Sequence, residues 1–172
     1  MPEIVSQIDK GMLLFIQNNL RSPFMTQVCD FLSNYGVIVM AVYVILMLIW
    51  DKRKIFPVAS ACVVSGLIGN YISSYIKHLV KRPRPFLEYA ELIPLHRPKS
   101  YSFPSGHTML AFAVAFIIYR IMPKKYGIPL LCMATLVAFS RLYLGVHNPT
   151  DVLGSLCIAY VVGMVTEFLY KR

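Results

Sequence analysis

The sequence predicts an all-α protein: a polytopic membrane helical bundle of about five transmembrane helices, with an interfacial amphipathic helix at the N-terminus. Apolar residues make up 57% of the 172 positions, and the mean hydropathy is +0.60, whereas soluble domains are nearer half apolar. Residues 56 to 76 contain no charged residue, and this stretch is long enough to cross a hydrocarbon core of about 30 Å. The length leaves room for one domain, so residues 1–172 are predicted to form a single membrane-embedded unit.

Residues 3 to 20 place apolar side chains at helical spacing, with polar side chains between them. This stretch is too polar to span a bilayer comfortably, so we expect an amphipathic helix lying at the membrane interface. A helix packed against the protein as a cap is an open alternative. The side chains that could share one broad apolar face are Ile4, Val5, Ile8, Met12, Phe15, Ile16 and Leu20. No signal-peptide pattern precedes this helix, so the first residues are expected to belong to the mature protein.

Long apolar stretches then alternate with short basic connections. Asp51-Lys52-Arg53-Lys54 is expected to stop the first span, and Trp50 is expected to anchor its edge at the interface. The predicted spans cover residues 25 or 30 to 50, 56 to 76, 104 to 122, 128 to 146 and 152 to 170. Between the second and third spans lies the only long loop, which is basic and rich in proline, and a long loop in a compact domain is commonly functional.

The net charge of +9 would suit a nucleic-acid partner in a soluble protein. In a membrane protein, cations that flank the spans and line an anion site account for it, so no nucleic-acid partner is predicted. The four cysteines stand singly in apolar surroundings and are expected to be buried packing residues, neither disulfides nor metal ligands.

One stretch near the C-terminus combines groups suited to phosphate chemistry. Arg141 supplies a planar, permanently charged fork for phosphate oxygens. Asp151 follows His147 by four residues, close enough to fix the tautomer of the ring and raise the basicity of its other nitrogen. Pro149 suits the first turn of a helix that Asn148 or Thr150 could cap. By itself, an ordinary loop at the membrane edge with a capping aspartate would explain this stretch equally well.

Two further stretches favour the functional interpretation. Pro104-Ser105-Gly106-His107 opens an apolar helix, where free backbone N–H groups would point at an anion. Lys77, followed after six residues by Arg84-Pro85, adds two more cations.

These three stretches together resemble the signatures of the type 2 phosphatidic acid phosphatases, membrane lipid phosphatases related to vanadium haloperoxidases, and the match runs from residue 77 to 151. The resemblance implies a phosphohistidine mechanism without a cofactor or metal. In it His147 attacks phosphorus, Asp151 orients His147, and His107 protonates the departing oxygen. Members of the family often have six spans, which leaves the N-terminal boundary open. The phosphate-binding residues that the resemblance implies are Lys77, Arg84, Ser105, Gly106 and Arg141.

Three other interpretations stay open at this point. His107, His147 and Asp151 could chelate zinc, although the surrounding cations would repel a divalent ion. A non-enzymatic membrane protein could bind anions through the same basic cluster, but it would not need an activated histidine. A haloperoxidase-like vanadate site is disfavoured, because those enzymes are larger and soluble.

The expected partners are membrane lipids and a lipid phosphate whose tail stays in the bilayer. The small size, short loops and outward-facing site resemble the bacterial undecaprenyl pyrophosphate phosphatases, and this resemblance implies undecaprenyl pyrophosphate as the substrate. Phosphatidylglycerol phosphate, phosphatidate and phosphate transfer to another lipid are the alternatives. Basic residues in the short loops on the side away from the motifs place that side in the cytoplasm, so the active face is predicted to lie on the extracytoplasmic side of a bacterial plasma membrane. Nothing in the sequence fixes the oligomeric state.

Overall fold

The computed structural model describes residues 3–50 and 55–171, and the ordered elements in those two ranges are helices without a strand. The prediction of an all-α fold is therefore confirmed for this part of the chain. Among the described residues, four helices are long and apolar enough to cross a membrane, and a shorter apolar helix lies among them. The helices of the described residues are α1 (Glu3–Asn19), α2 (Pro23–Trp50), α3 (Ile55–Val80), α4 (Pro85–Glu88), α5 (Gly106–Ile121), α6 (Lys124–Tyr143) and α7 (Pro149–Tyr170).

The long helices alternate in direction, so the segments that carry the sequence motifs meet at one end of the bundle. At that end, Lys77 in the last turn of α3 donates to the carbonyl oxygen of Tyr101, 2.7 Å away, in the segment that leads into α5. At the opposite end, Arg120 near the end of α5 pairs with Glu167 near the end of α7. We call the first of these ends the motif end.

Helix α5 forms the centre of the bundle, because it packs against α3, α6 and α7 together. Its alanines allow this close approach, and Ala113, Ala115 and Ile117 are completely buried. With 16 residues, α5 is about 24 Å long, which is shorter than a hydrocarbon core of about 30 Å. The first turn of this central helix carries His107.

Two helices, α3 and α6, end at the motif end several residues away from the predicted positions. Helix α3 continues to Val80, so Lys77 lies in its last turn and not at the start of the loop. Helix α6 stops at Tyr143, three residues earlier than predicted, because Gly145 adopts a φ of 71°, in the left-handed region that ends a helix. His147 consequently lies in a turn between α6 and α7. The predicted stop at residues 51–54 falls outside the described residues.

Helix α1 packs along the motif end. One of its faces packs against the protein as a cap, and the other is the apolar face of an interfacial helix. Asp9, Leu13 and Ile16 face the protein and are buried. Ile16 was expected on the outer apolar face, and this part of the prediction is wrong. The side chains that remain exposed on the opposite face are Ile4, Ile8, Met12 and Phe15. Helix α1 therefore docks on the bundle through one face and offers an apolar strip to the membrane interface through the other.

The cysteines also differ from the expectation. Cys29 is buried and Cys62 is partly buried, but Cys132 and Cys157 are exposed on the outer surface of the bundle. A helix surface that faces lipid tolerates an apolar thiol without burial inside the protein, because the surrounding solvent is itself apolar.

Candidate active site

The motif end brings together charged side chains from four helices and two connecting segments. Helices α3, α5, α6 and α7 supply Lys77, His107, Arg141 and Asp151, respectively. The charges of Arg141, Arg84 and Lys77 all act on the ring of His107, and those of Arg84, Arg141 and Asp151 act on His147. The structure thus gathers into one cluster the basic and titratable residues that the sequence singled out.

His147 lies at the bottom of this cluster with its two ring nitrogens in different surroundings. Its side chain is only 2% exposed. Its Nε2 lies 3.2 Å from Nη1 of Arg84, and its Nδ1 lies 3.5 Å from Oδ2 of Asp151. An arginine only donates hydrogen bonds, so Nε2 must carry the lone pair and the proton must sit on Nδ1. The distance to Asp151 is at the outer limit for a hydrogen bond, and a shift of a few tenths of an ångström would bring it into range.

The surroundings of His147 also determine its charge. Burial is the main reason that the pKa of His147 falls to about 3; the Asp151 carboxylate opposes the shift, and Arg84 and Arg141 add to it. The ring is therefore neutral at pH 7. A neutral imidazole with its lone pair on Nε2 is the form that a nucleophilic or base histidine requires.

Asp151 is held by hydrogen bonds on both carboxylate oxygens. Its Oδ1 accepts from Nη1 of Arg82 at 2.7 Å, and its Oδ2 accepts from Oγ of Ser102 at 2.5 Å and from the backbone N–H of Asn148 at 2.8 Å. Asn148 occupies the N-cap of α7, and Pro149 follows at the first helical position, as the sequence suggested. The carboxylate is fully buried, so these donors stabilise its charged form and fix its orientation toward His147.

Arg84 is oriented entirely by the protein. Its Nε donates to the carbonyl oxygen of Ser100 and its Nη2 to the hydroxyl of the same residue, both at 2.8 Å. Its Nη1 donates to the carbonyl oxygen of Val146, also at 2.8 Å, next to His147. A rigid guanidinium fork therefore holds Nη1 beside Nε2 of His147.

Arg141 and Lys77 keep donor capacity for another partner. Arg141 is 7% exposed and donates to Oγ of Ser33 in α2, but its Nε has no hydrogen-bond partner among residues 3–50 and 55–171. Lys77 is half-buried, and its Nζ donates to the carbonyl oxygens of Tyr101 and Ser102. A buried arginine in a membrane helix with an unused donor is costly, and such residues usually serve function.

The start of α5 faces the same cluster. Ser105 occupies the N-cap and is fully buried, but its Oγ accepts from Oγ1 of Thr108 at 3.0 Å and caps no backbone group. The N–H groups of the first turn, from Gly106 onward, lack acceptors within the helix and can bind an anion. The His107 side chain is exposed, unlike that of His147, so the two histidines lie at different depths.

Several residues of this network were not found from the sequence. From the sequence alone, Arg82 could be either a solvated loop charge or a contact for a lipid headgroup, but the structure buries it between two carboxylates, Asp9 and Asp151. Asp9 was overlooked, although it precedes Leu13 and Ile16 by four and seven residues, which is the spacing of one helix face. Loop serines such as Ser100 and Ser102 give no sequence signal for such a role.

His96 lies in the long basic loop, where the sequence alone would allow it to contact the second phosphate of a diphosphate. Its Nε2 lies 2.6 Å from Oδ1 of Asp30 in α2, and both side chains are 45% exposed. This contact attaches the long loop to the outside of the bundle, so His96 does not belong to the cluster.

The donor set of the cluster does not suit a metal ion. Within the described ranges, no group of three or more histidine, cysteine, aspartate or glutamate side chains could hold a metal ion. Both oxygens of Asp151 already accept hydrogen bonds, and Nε2 of His147 faces a guanidinium. The cluster is instead suited to an anion.

An apolar cavity of about 490 Å³ lies between α2, α3 and α5. Helix α2 packs mainly on α6, and α3 mainly on α5 and α7, which leaves this gap between α2 and α3. Ile45, Val63 and Leu67 line it and are more than half exposed, so it opens sideways toward the membrane. Its lining includes Asn70 and Leu110, which precede Lys77 by seven residues and follow His107 by three. Along a helix these separations correspond to about 10 Å and about 5 Å. We call this cavity the α2–α3 groove.

Comparison with known proteins gives three findings. A sequence model of the PAP2 superfamily matches residues 57–171, more than half of the chain. Undecaprenyl-diphosphatase BcrC of Bacillus subtilis (strain 168) is 33% identical over 148 residues, which cover 83% of this chain and 71% of that protein. Phosphatidylglycerophosphatase B of the same organism is 29% identical over 165 residues, which cover 88% of this chain and 76% of that protein.

A solved structure has a similar fold. It is the crystal structure of the first transmembrane PAP2-type phosphatidylglycerolphosphate phosphatase from Bacillus subtilis, with a TM-score of 0.71. The similarity covers 98% of this chain and 85% of that one at 23% sequence identity. Together with the helices long enough to span a membrane, this similarity confirms the predicted membrane bundle.

Proposed function

The chain belongs to the PAP2 superfamily and is a membrane lipid phosphatase, and from this premise we propose that it hydrolyses undecaprenyl pyrophosphate through a phosphohistidine intermediate. The observation that carries the proposed mechanism is the pair of contacts on His147. Arg84 requires the lone pair on Nε2, and Asp151 faces the proton on Nδ1. An anion-binding protein without catalysis would not need this arrangement.

Two observations support an undecaprenyl substrate. The relative from Bacillus subtilis with 33% identity is an undecaprenyl-diphosphatase. The α2–α3 groove offers an apolar path beside the charged cluster, and its lining on α2 runs from Val37 to Leu48. This segment of helix is about 16 Å long, enough for several isoprene units of a long lipid tail.

In the first chemical step, Nε2 of His147 attacks the terminal phosphorus as the bond from phosphorus to the leaving oxygen breaks. Lys77, Arg84, Arg141 and the N–H groups that follow Ser105 neutralise charge on the equatorial oxygens. Asp151 holds the proton on Nδ1 and stabilises the positive charge that the ring acquires. When the bound phosphate anion offsets the neighbouring cations, His107 on the exposed side of the cluster becomes protonated, and it gives this proton to the leaving oxygen.

In the second step, water attacks phosphorus and the bond to Nε2 breaks. His107, now neutral, accepts a proton from that water and returns to its starting form. The different depths of the two histidines support this division of roles, because the acid and base must meet the leaving group and water while the nucleophile stays shielded.

The side of the membrane that the site faces is part of the proposal. The end opposite the motifs carries Lys124 and Lys125 at the start of α6 and Lys171 just after α7, which favours the cytoplasm for that end. Two cations at the motif end, Arg82 and Arg84, are bound to protein groups, so they count less toward orientation. We therefore place the active site on the extracytoplasmic side of a bacterial plasma membrane.

The substrate is tested by a panel of undecaprenyl pyrophosphate, phosphatidylglycerol phosphate and phosphatidate, each at the same mole fraction in one detergent. Phosphate release is measured for the purified protein, with His147→Ala as the inactive control. We expect the highest kcat/KM for undecaprenyl pyrophosphate. Phosphatidylglycerol phosphate is the second candidate because of the relative with 29% identity, and a higher kcat/KM for it would replace the proposed substrate. Phosphate recovered on an added lipid instead of in water would identify a transferase.

The intermediate is tested by rapid acid-free quenching with substrate labelled at the terminal phosphate. A protein-bound label that survives base and is released by acid is expected for phosphohistidine. The label should be absent in His147→Ala. An equal label in that variant would refute His147 as the nucleophile.

A further inference from the structure

Asp9 of helix α1 reaches the candidate active site through Arg82. Its Oδ2 accepts from Nη2 of Arg82 at 2.8 Å, and its side chain is fully buried. The same carboxylate accepts from Thr150 at the start of α7, from its backbone N–H at 3.1 Å and from its hydroxyl at 2.5 Å. Asp9 therefore contacts Arg82, which donates to Asp151, and Thr150, which precedes Asp151 in the chain.

Arg82 is shared between two carboxylates. Its Nη1 donates to Oδ1 of Asp151 and to Oγ1 of Thr150, both at 2.7 Å, while its Nη2 serves Asp9. The side chain is 8% exposed, and both carboxylates are completely buried. Since the fork is planar and rigid, fixing Nη2 on Asp9 also fixes the direction in which Nη1 meets Asp151.

This arrangement controls which oxygen of Asp151 faces the histidine. With Oδ1 held by Arg82, Oδ2 is turned toward Nδ1 of His147. If Arg82 lost its partner on α1, it could move across the Asp151 carboxylate, and its charge would no longer be balanced by a second carboxylate. Both changes would weaken the support that Asp151 gives to the imidazole.

Docking of α1 does not require this buried charge. Leu13 and Ile16 already bury apolar surface, and an exposed ion pair between Lys10 and Glu91, 2.9 Å apart, joins α1 to the long loop. A buried carboxylate costs free energy unless it is paired, and an apolar side chain at position 9 would attach the helix without that cost. Attachment of α1 to the bundle therefore does not explain why residue 9 is charged.

We propose that Asp9 is a positioning residue for the phosphatase reaction and that α1 contributes to the active site through this residue. It acts through Arg82 and Thr150 on Asp151, and through Asp151 on His147. Asp9 lies outside residues 57–171, the part of the chain that the family model matches. The inference rests on the proposed function, because it assumes that His147 is the nucleophile.

The test compares Asp9→Asn with a matched control, Glu91→Gln. Asp9→Asn keeps the side-chain shape and an acceptor for Thr150 but removes the charge. Glu91→Gln removes the charge from another contact of α1, the ion pair with Lys10, which lies on the exposed surface. The main readout is the inhibition constant of vanadate, which adopts the trigonal bipyramidal geometry of the transferring phosphorus against the nucleophile. A smaller fraction of folded enzyme lowers the apparent kcat but leaves this constant unchanged.

For Asp9→Asn, we expect kcat to fall and the vanadate constant to rise by about tenfold to a hundredfold, less than the effect of losing an orienting carboxylate itself. The KM should stay within about threefold, because the phosphate-binding cations are untouched. Glu91→Gln should keep both the vanadate constant and kcat near the wild-type values. A wild-type vanadate constant in Asp9→Asn, even with a lowered kcat, would show a structural role only and overturn the proposal.

If Asp9→Asn does not fold, Thr150→Val is the second variant. It removes the hydroxyl that bonds Asp9 and Arg82 without changing any charge, and we expect a smaller rise of the vanadate constant. An unchanged constant in Thr150→Val would then overturn the proposal. Failure of the proposed function is separately visible: wild-type protein that neither releases phosphate from lipid nor responds to vanadate would refute both.

Discussion

Replacing Asp151 by asparagine keeps the size of the side chain but turns one of its acceptors into a donor. The carboxylate faces donors on both sides, with Arg82 at Oδ1 and Ser102 and the backbone of Asn148 at Oδ2. Whichever way the amide is oriented, its NH₂ group meets another donor. The Nδ1 proton of His147 loses a charged acceptor in either case.

The expected loss of activity is large and the expected loss of stability is moderate. When an orienting aspartate becomes asparagine, the rate falls by about 10³ to 10⁴, or about 4 to 5.4 kcal/mol at 1.36 kcal/mol per tenfold. Stability should fall by only about 1 to 3 kcal/mol, the penalty for one unsatisfied buried group, because Arg82 keeps Asp9 as its partner. A fully broken buried ion pair would cost about 3 to 5 kcal/mol.

The assay measures kcat for phosphate release and the thermal unfolding midpoint in the same detergent. Asp30→Asn is the matched control, because Asp30 is 45% exposed and pairs with His96 outside the cluster. This control should retain activity within about twofold, as expected for an exposed pair. A kcat for Asp151→Asn above about a tenth of the wild-type value would refute the role assigned to the carboxylate, since an orienting aspartate is expected to cost at least a hundredfold more.

Three further predictions concern acid catalysis, pH and packing. His107→Ala should lower kcat for undecaprenyl pyrophosphate by about 10² to 10⁴, and by much less for an aryl phosphate whose leaving group needs no proton. An equal loss of kcat for both substrates would contradict the role of His107 as the acid. The pKa of His147 is about 3 in the folded protein, whereas the ordinary pKa of a histidine is 6.5, so between those pH values only the unfolded chain protonates this ring. The free energy of unfolding should therefore fall as pH falls through this window, by up to about 1.36 kcal/mol per pH unit. His147→Asn should reduce the slope of the unfolding free energy against pH, measured by denaturation. Equal slopes for the variant and the wild type would contradict the burial of a neutral ring. In Gly127→Ala, the new Cβ would lie 2.4 Å from Cα of Tyr119, so unfolding should become easier by about 1 to 3 kcal/mol. A Cβ added at Gly11 would have nothing within 4 Å, so Gly11→Ala should stabilise α1 by up to about 1 kcal/mol. A higher melting point for Gly127→Ala than for Gly11→Ala would contradict the close packing of α5 on α6.

The fold and the charged cluster could be predicted because each follows from local properties of the chain. Uncharged stretches of about 20 residues have few alternatives to spanning helices. The motif residues Lys77, His107 and Asp151 lie next to ends of predicted spans, and counting spans puts those ends on one side. Phosphate hydrolysis needs positive charge, a nucleophile and a proton donor, and this requirement predicts that such residues lie together on that side.

The connections within the cluster could not be predicted, because they depend on packing between distant segments. Asp9 and Arg82 are separated by 73 positions, and no local pattern says which carboxylate an arginine will choose. The turn that exposes Nε2 of His147 to Arg84 depends on the left-handed conformation of Gly145, which a sequence permits but does not demand. The depth of each histidine likewise emerges only when the helices are assembled.

The sideways opening of the α2–α3 groove has a consequence for kinetics. An enzyme that takes its substrate from the plane of the bilayer responds to the number of substrate molecules per lipid, and not to the number per litre of solution. Diluting the membrane with inert lipid should therefore slow turnover at constant total substrate, whereas diluting the vesicles with buffer should not. For such an enzyme, a KM has meaning only as a surface mole fraction.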